Sequence, residues 1–324
     1  MTTRVMTMAS LPDSLEPSLA ALDWLDNDPP LGAAVLRSAR RAGAPLADYI
    51  GVVAVDRHEI VARVGVERPL LTTSEGTERF CAITSVATRP DALRRGLARS
   101  LLREVHRRES AEGPRWSLLW THRTWGAHRL YEQLGYRDVY SPPSALRRIP
   151  VRGGHRLARP FALRSANASD AGLLGGILRR ATSERLGFLP RHRGSFELRF
   201  RLGWRRPQDH HILLEGRRPV GFVHAAQTPR AVLVLEAVVE DPGHATRMLD
   251  AVERLARGRW LAFGRTTFVN DAAAALAERG YDRFPRSHTT LMARRLGPHR
   301  ARDAAAWPRL VADPRFSCHG GDMF

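Results

Sequence analysis

The sequence predicts a mixed fold of α+β / α/β class, built as two related domains in tandem. Three observations carry this. The chain has 324 residues, a length that suits two domains of ordinary size. It also repeats itself weakly: Ser117-Leu118-Leu119-Trp120 leads into a helix ending Leu134-Gly135-Tyr136-Arg137-Asp138, and Trp260-Leu261-Ala262-Phe263 leads into one ending Arg279-Gly280-Tyr281-Asp282-Arg283. Upstream, Val86-Ala87-Thr88-Arg89-Pro90 precedes one helix and Val238-Val239-Glu240-Asp241-Pro242 another, at nearly the same interval. A repeat this long indicates a duplicated domain rather than a solenoid. Finally, strand-period and helix-period segments follow one another in the same order in each half.

In the first half, residues 4–8 read as a short strand, and 15–25 and 31–42 as helices. Residues 49–55 and 59–66 run apolar around the turn Asp56-Arg57-His58 and read as a hairpin. Residues 80–88 form the next strand. A helix over 97–108 carries the stripe Leu97, Leu101, Leu102 and Val105. Strand 116–121 follows, then helix 124–134, with Thr124 as its expected N-cap and Gly135 as its stop. Strand 136–140 closes the set. The segment 150–160 has a proline at each end, two glycines and three arginines, and reads as a linker. The second half offers strand 161–164, helix 169–183 capped by Ser169 or Asp170, hairpin 211–215/219–225, strand 231–239, helix 245–256, strand 259–263 and helix 271–278. The expected division is thus 1–149, a linker at 150–160, 161–297, and a tail at 298–324, which Trp307, Leu310, Val311 and Phe316 could dock on a domain.

The net charge is +18, all 51 basic residues are arginine, and lysine is absent. Schiff-base chemistry and a P-loop lysine are thereby excluded. The arginines are spread along the whole chain, which reads as compositional bias and disfavours a dedicated nucleic-acid surface. No apolar run is long enough for a membrane helix, and residues 1–10 lack the pattern of a secretory signal. Cys81 and Cys318 lie far apart and form no C-x-x-C pair, which suits a reducing cytoplasm. Cys81, in mid-strand, is expected to be buried and inert. His210-His211 lacks a recognisable ligand set, so no metal is expected.

The informative stretch is Val86-Ala87-Thr88-Arg89-Pro90-Asp91-Ala92-Leu93-Arg94-Arg95-Gly96-Leu97-Ala98. A strand ends, a basic turn follows, and a helix begins at once. The helix start offers unpaired N–H groups and the positive end of the macrodipole, which suits a pyrophosphate. Gly96 and Ala98 leave room for phosphates to approach, and Arg94, Arg95 and Arg99 add charge.

This stretch resembles the pyrophosphate loop of GNAT acetyltransferases, whose pattern is glutamine or arginine, two residues, glycine, one residue, glycine or alanine. Gly96 and Ala98 match its last two places; Leu93 departs at the first, with arginine displaced to Arg94 and Arg95. Ala127-His128-Arg129-Leu130-Tyr131-Glu132-Gln133-Leu134-Gly135-Tyr136 is similar to the family's fourth helix. The resemblance covers most of residues 1–150, and the second half in outline only. It implies that each domain is a mixed, mostly antiparallel central sheet flanked by helices. It further implies acetyl-CoA as acyl donor in a cleft where two central strands splay. Val86, Ala87 and Thr88 would meet pantetheine, with the Val86 N–H stabilising the oxyanion. Arg94, Arg95, Gly96, Leu97 and Ala98 would hold the diphosphate, and Thr124 stands where many members have asparagine. Tyr131 would protonate the leaving thiolate; as a member of an apolar stripe it also suits plain core. The acceptor would be a small-molecule or peptide amine, attacking directly.

The family often draws its base from a glutamate on the strand equivalent to 80–88, but none is present; Glu67, Asp56 and His122 are possible substitutes. In the second copy Glu240 and Asp241 replace the basic loop and Leu276 falls where Tyr131 falls, so that copy is expected to be degenerate. The alternative is a non-catalytic acyl-CoA-binding or regulatory module, favoured by the missing carboxylate and by Leu93.

Overall fold

The computed structural model describes residues 3–8, 11–26, 50–151, 157–187, 194–201, 203, 205–264, 268–297, 306–313 and 315–316. The helix expected at 31–42 lies outside them. In chain order the first half contains β1 (Arg4–Thr7), α1 (Glu16–Asp26), β2 (Ile50–Asp56), β3 (Glu59–Glu67), β4 (Leu70–Thr73), β5 (Gly76–Arg79) and β6 (Cys81–Thr88). It continues with α2 (Leu97–Glu112), β7 (Trp116–His122), α3 (Gly126–Gln133), β8 (Arg137–Tyr140) and β9 (Ser144–Arg148). The second half contains β10 (Phe161–Ser165), α4 (Ala171–Ala181), α5 (Ser195–Arg201), β11 (His210–Glu215), β12 (Arg218–Gln227), β13 (Ala231–Val239), α6 (Ala245–Leu255) and β14 (Trp260–Phe263). It ends with α7 (Phe268–Asp271), α8 (Ala273–Glu278), β15 (Asp282–Phe284), β16 (Thr289–Arg295) and α9 (Ala306–Ala312).

Two seven-stranded sheets result, in the orders β1-β2-β3-β6-β7-β16-β8 and β10-β11-β12-β13-β14-β9-β15. Each is antiparallel except at one central pair, β6 with β7 and β13 with β14. The sheets do not follow the division at 149/161. Strand β16 sits between β7 and β8, and β9 sits between β14 and β15. The two halves have exchanged a strand each. Sequence patterning missed β9 and β16, whose partners lie far off in sequence. It also missed the β4–β5 hairpin and α5.

The duplication is exact enough to repeat a helix stop. At the end of α3, Gly135 lies at φ +87, its N–H donates to Glu132 O at 2.9 Å, and Tyr136 N–H donates to Tyr131 O at 3.1 Å. At the end of α8, Gly280 lies at φ +71, its N–H donates to Ala277 O at 3.0 Å, and Tyr281 N–H donates to Leu276 O at 3.0 Å. This is the left-handed C-terminal cap that glycine serves without a Cβ penalty. The helix-start expectations fare differently. Asn167, not Ser169 or Asp170, caps the start of the α4 segment, in a capping box with Asp170.

The apolar stripe of α2 packs on the first sheet with Leu101, Leu102 and Val105 fully buried. A separate cluster on the other face joins Phe80, Leu118 and Leu291 to Leu186 and to Trp307, Leu310 and Phe316 of the tail. The tail therefore docks, and Gly187 shows how closely: a Cβ there would lie 2.2 Å from the Phe316 ring. No described helix is long and apolar enough to cross a membrane.

Candidate active site

The site begins where β6 and β7 part. They pair in parallel only at Cys81 with Ser117 and Ala82 with Leu118, yet β6 runs on to Thr88 and β7 to His122. Beyond Ala82, β6 has no strand on that side, so its backbone groups there await water or a ligand. On its other side the ladder with β3 slips between Arg63 and Gly65. Ser85 and Val86 together face Val64, a bulge, and Ser85 takes φ +48 to make it. The expected oxyanion donor, Val86, is thus one of the two bulged residues. Ala87 and Thr88 return to register with Arg63 and Ala62.

The basic turn follows. Arg89 N–H donates to Val61 O at 2.9 Å, and its guanidinium grips both oxygens of Asp91, at 2.6 and 2.7 Å, and also Glu59. That pairing holds the Asp91 carboxyl below the usual carboxylate range. The acids nearest the turn are thereby neutralised by a cation of their own. A single 3-10 turn, Pro90–Ala92, then gives way to extended Leu93. Arg94 lies at φ +61 and Gly96 at φ +77, with Arg95 between them at negative φ. Such sign alternation turns successive N–H groups to one side, the geometry of an anion nest. α2 starts at Leu97, and the Gly96 carbonyl accepts Ser100 N–H at 3.0 Å. The amides of Leu97, Ala98 and Arg99 belong to the first turn and have no intrahelical acceptor. No acid stands in that turn. A Cβ on Gly96 would meet nothing within 4 Å; glycine is required there for its backbone angle, and the space beyond it is open.

The three arginines differ. Arg95 pairs with Asp56 at 3.0 Å, tying the turn to the β2–β3 hairpin. Arg99 hydrogen-bonds Gln133, bridging α2 to α3. Arg94 is exposed and makes no ion pair among the described residues.

Tyr131 projects from α3 into the core that α2 also covers, 6% exposed, in the same cluster as Val86. Its ring meets Tyr136 edge-on at 5.9 Å. Behind it runs a buried chain of hydrogen bonds. Tyr136 Oη lies 2.6 Å from Ser117 Oγ and 2.8 Å from His106 Nε2, and His106 Nδ1 lies 2.7 Å from Arg294 of the exchanged strand β16. Burial first, then Arg294, lowers the His106 pKa to about 3; the imidazole is neutral and accepts from Arg294 at Nδ1. Burial also pushes the Cys81 thiol up to about 12, which makes it unreactive.

Thr124 corrects an expectation. It is exposed and does not cap α3; Trp125 holds the N-cap place without a side-chain bond, and α3 begins at Gly126. The Thr124 hydroxyl instead meets His122 Nδ1 at 2.7 Å, a local bond that outcompetes capping. The His122 ring is stacked between Trp125, at 5.7 Å, and His288 of the second half, at 5.3 Å. Trp125 is 61% exposed. Of the three substitute bases, Asp56 is committed to Arg95 and His122 to this stack. Sequence reasoning did not single out Trp125 or His288; an aromatic at the strand–helix corner was the only signal available for the first.

The second copy fills its equivalent turn with its own side chain. Asp241 Oδ1 accepts from Gly243 N–H at 2.8 Å, so a carboxylate of the chain itself sits at that turn. Glu240 pairs with Arg180 at 2.6 Å, and Leu276 is fully buried.

Known proteins place this geometry. A family model described as FR47-like protein matches residues 71–141, which span β4 to β8, the splay and the basic turn. The chain has the GNAT fold. Solved GNAT structures align over nearly all of it. A probable N-acyltransferase from Enterococcus faecalis V583 aligns at TM-score 0.67 and 14% identity, over 92% of this chain and 73% of that one. A GCN5-related N-acetyltransferase from Kribbella flavida aligns at TM-score 0.62 and 19% identity, over 91% and 72%. A tandem GNAT protein from the clavulanic acid biosynthesis pathway aligns at TM-score 0.59 and 14% identity, over 92% and 100%. No curated protein matches the sequence. In both halves the central parallel pair parts before its longer strand ends; they differ at the turn that follows, free of acids before α2 and occupied by Asp241 before α6.

Proposed function

We propose that the protein transfers an acetyl group from acetyl-CoA to an amine by direct attack on the thioester. One observation carries the reading: the parted strands β6 and β7 open beside a helix start whose amides are free of acids, with Tyr131 in contact with the same wall as Val86. The donor set fits acetyl-CoA. The nest at Arg94–Gly96, the amides of Leu97 and Ala98, and the Arg94 charge suit a diphosphate. The open side of β6 suits the amides of pantetheine, with Thr124 at the mouth of the splay. The bulged Val86 N–H would meet the thioester oxygen, where a donor matters most as charge develops. Tyr131 would give its proton to the departing sulfur. The buried, unreactive Cys81 accords with direct transfer and with a reducing, cytoplasmic setting.

The test pairs calorimetry with acetyl-CoA and a thiol-release assay on a panel of primary amines. Binding with amine-dependent release is expected. Binding without release on any amine would favour the acyl-CoA-binding module instead, the reading that the carboxylate-free strand β6 recommends. Absence of binding would remove both.

A further inference from the structure

Amine transfer at neutral pH needs a base, since most alkylamines arrive as ammonium ions. Glu67 stands one strand away from β6. It pairs across the ladder with Ala82, which is also the last residue of β6 still paired with β7. It is therefore level with the start of the opening. Its direction follows from its neighbours. Val66 and Ile83 point into the core under α2, and Arg68 reaches Glu109 of α2 at 2.9 Å. Side chains alternate along a strand, so Glu67 points to the other face, as do Thr84 on β6 and Trp120 on β7. Glu67, Thr84, Ser85 and Trp120 are all partly exposed.

The charges around Glu67 come from both halves. The charge of Arg199 on α5 bears on it, and Arg63 lies further along the same face of β3. Arg68 and Glu109 pair on the opposite face. The residues of β6 and β7 on Glu67's own face, Ala82, Thr84, Leu118 and Trp120, are uncharged. Helix α5 is fixed by Phe196, which packs edge-on against Phe222 at 5.7 Å and His210 at 5.8 Å. Burial raises the Glu67 carboxyl above the ordinary range and Arg199 partly offsets this, a condition that suits a proton acceptor.

Resting on the acetyl-transfer reading, we propose that Glu67 takes the proton the acceptor ammonium must lose. From Ala82 to the bulge is roughly 10 Å along the strand, a gap that a glutamate side chain and one or two waters span. The balance is complete. The ammonium gives one proton to Glu67; the freed lone pair forms the C–N bond as the C–S bond breaks. The sulfur takes the Tyr131 proton, and the second proton on nitrogen returns to the Tyr131 oxygen. Glu67 then yields its proton to water, one per turnover.

The test measures kcat/KM against pH for the wild type, Glu67→Gln and Arg199→Met, with spermidine, phenethylamine and a free-N-terminus tetrapeptide, beside calorimetry with acetyl-CoA. Glu67→Gln should bind acetyl-CoA as the wild type does, fall about 100- to 10,000-fold near pH 7, and exchange the Glu67 acid limb for one set by the amine's own pKa. It should recover above the pKa of the amine, which a merely structural role would not produce. Arg199→Met should move the acid limb to higher pH, because loss of the positive charge raises the carboxyl further. Glu67→Gln activity within about threefold of the wild type at every pH would overturn the assignment and leave acetyl transfer standing. A wild type that releases no thiol with any of the three amines would overturn both.

Discussion

Tyr131 carries the sharpest consequence of the site. Tyr131→Phe keeps the ring that meets Tyr136 and removes only the hydroxyl. Acetyl-CoA affinity by calorimetry should hold while turnover falls about 100- to 10,000-fold; unchanged turnover would return Tyr131 to the core. At Gly96 the constraint is the backbone. With φ at +77 and open space around it, Gly96→Ala should strain the turn by about 1–2 kcal/mol and weaken acetyl-CoA binding roughly tenfold. Gly96→Glu should abolish binding by adding a carboxylate to the nest. His106 sets a pH dependence of stability. Its pKa is about 3 in the fold against about 6.5 unfolded. Between those values the unfolded chain binds the extra proton, so stability rises with pH and is lost as pH falls below about 6.5, by up to about 1.4 kcal/mol per pH unit. Urea midpoints of wild type and His106→Asn should converge toward acid pH, and parallel curves would contradict the assignment.

At the level of elements, the sequence disclosed what depends on local pattern. The stripe of α2, the hairpin β2–β3 and the glycine stops of α3 and α8 are written in neighbouring residues, and each stands where the pattern put it. The basic turn was legible for the same reason, though Gly96 serves by its angle more than by clearance. What depends on distant partners was hidden. Thr124 satisfies the sequence rule for a cap, yet His122 holds its hydroxyl. Glu67 could be named as a candidate, but the charge of Arg199 that bears on it comes from a helix with no clear signal in the sequence. Within the turn, the arginines should separate by role. Arg94→Ala should weaken acetyl-CoA binding and reduce its salt dependence, whereas Arg95→Ala should act through the lost tie to Asp56. Titrations at several ionic strengths distinguish the two.

For the molecule as a whole, the strand exchange decides what holds together. β9 is bonded into the second sheet and β16 into the first. Arg294 on β16 reaches His106, and Arg147 on β9 lies 3.6 Å from Glu253, so each exchanged strand is also tied to a helix of its host. A specific protease site placed in 152–156 should give two fragments on a denaturing gel that still elute as one species under native conditions. Fragments that separate without denaturant would contradict the exchange. The same interlock brings His288 against His122 and the tail against the first sheet.

The interlock also bears on how the chain comes into being. The first sheet lacks its penultimate strand until Thr289–Arg295 has emerged, long after β7 and β8 have been made. At roughly 5–20 residues per second, translation leaves that slot open for on the order of ten seconds or more. Throughout that interval a nascent edge with apolar Leu118 and Trp120 is available to the wrong neighbour. Biogenesis of this protein should therefore lean on chaperones at the ribosome more heavily than that of a chain whose halves close one after the other.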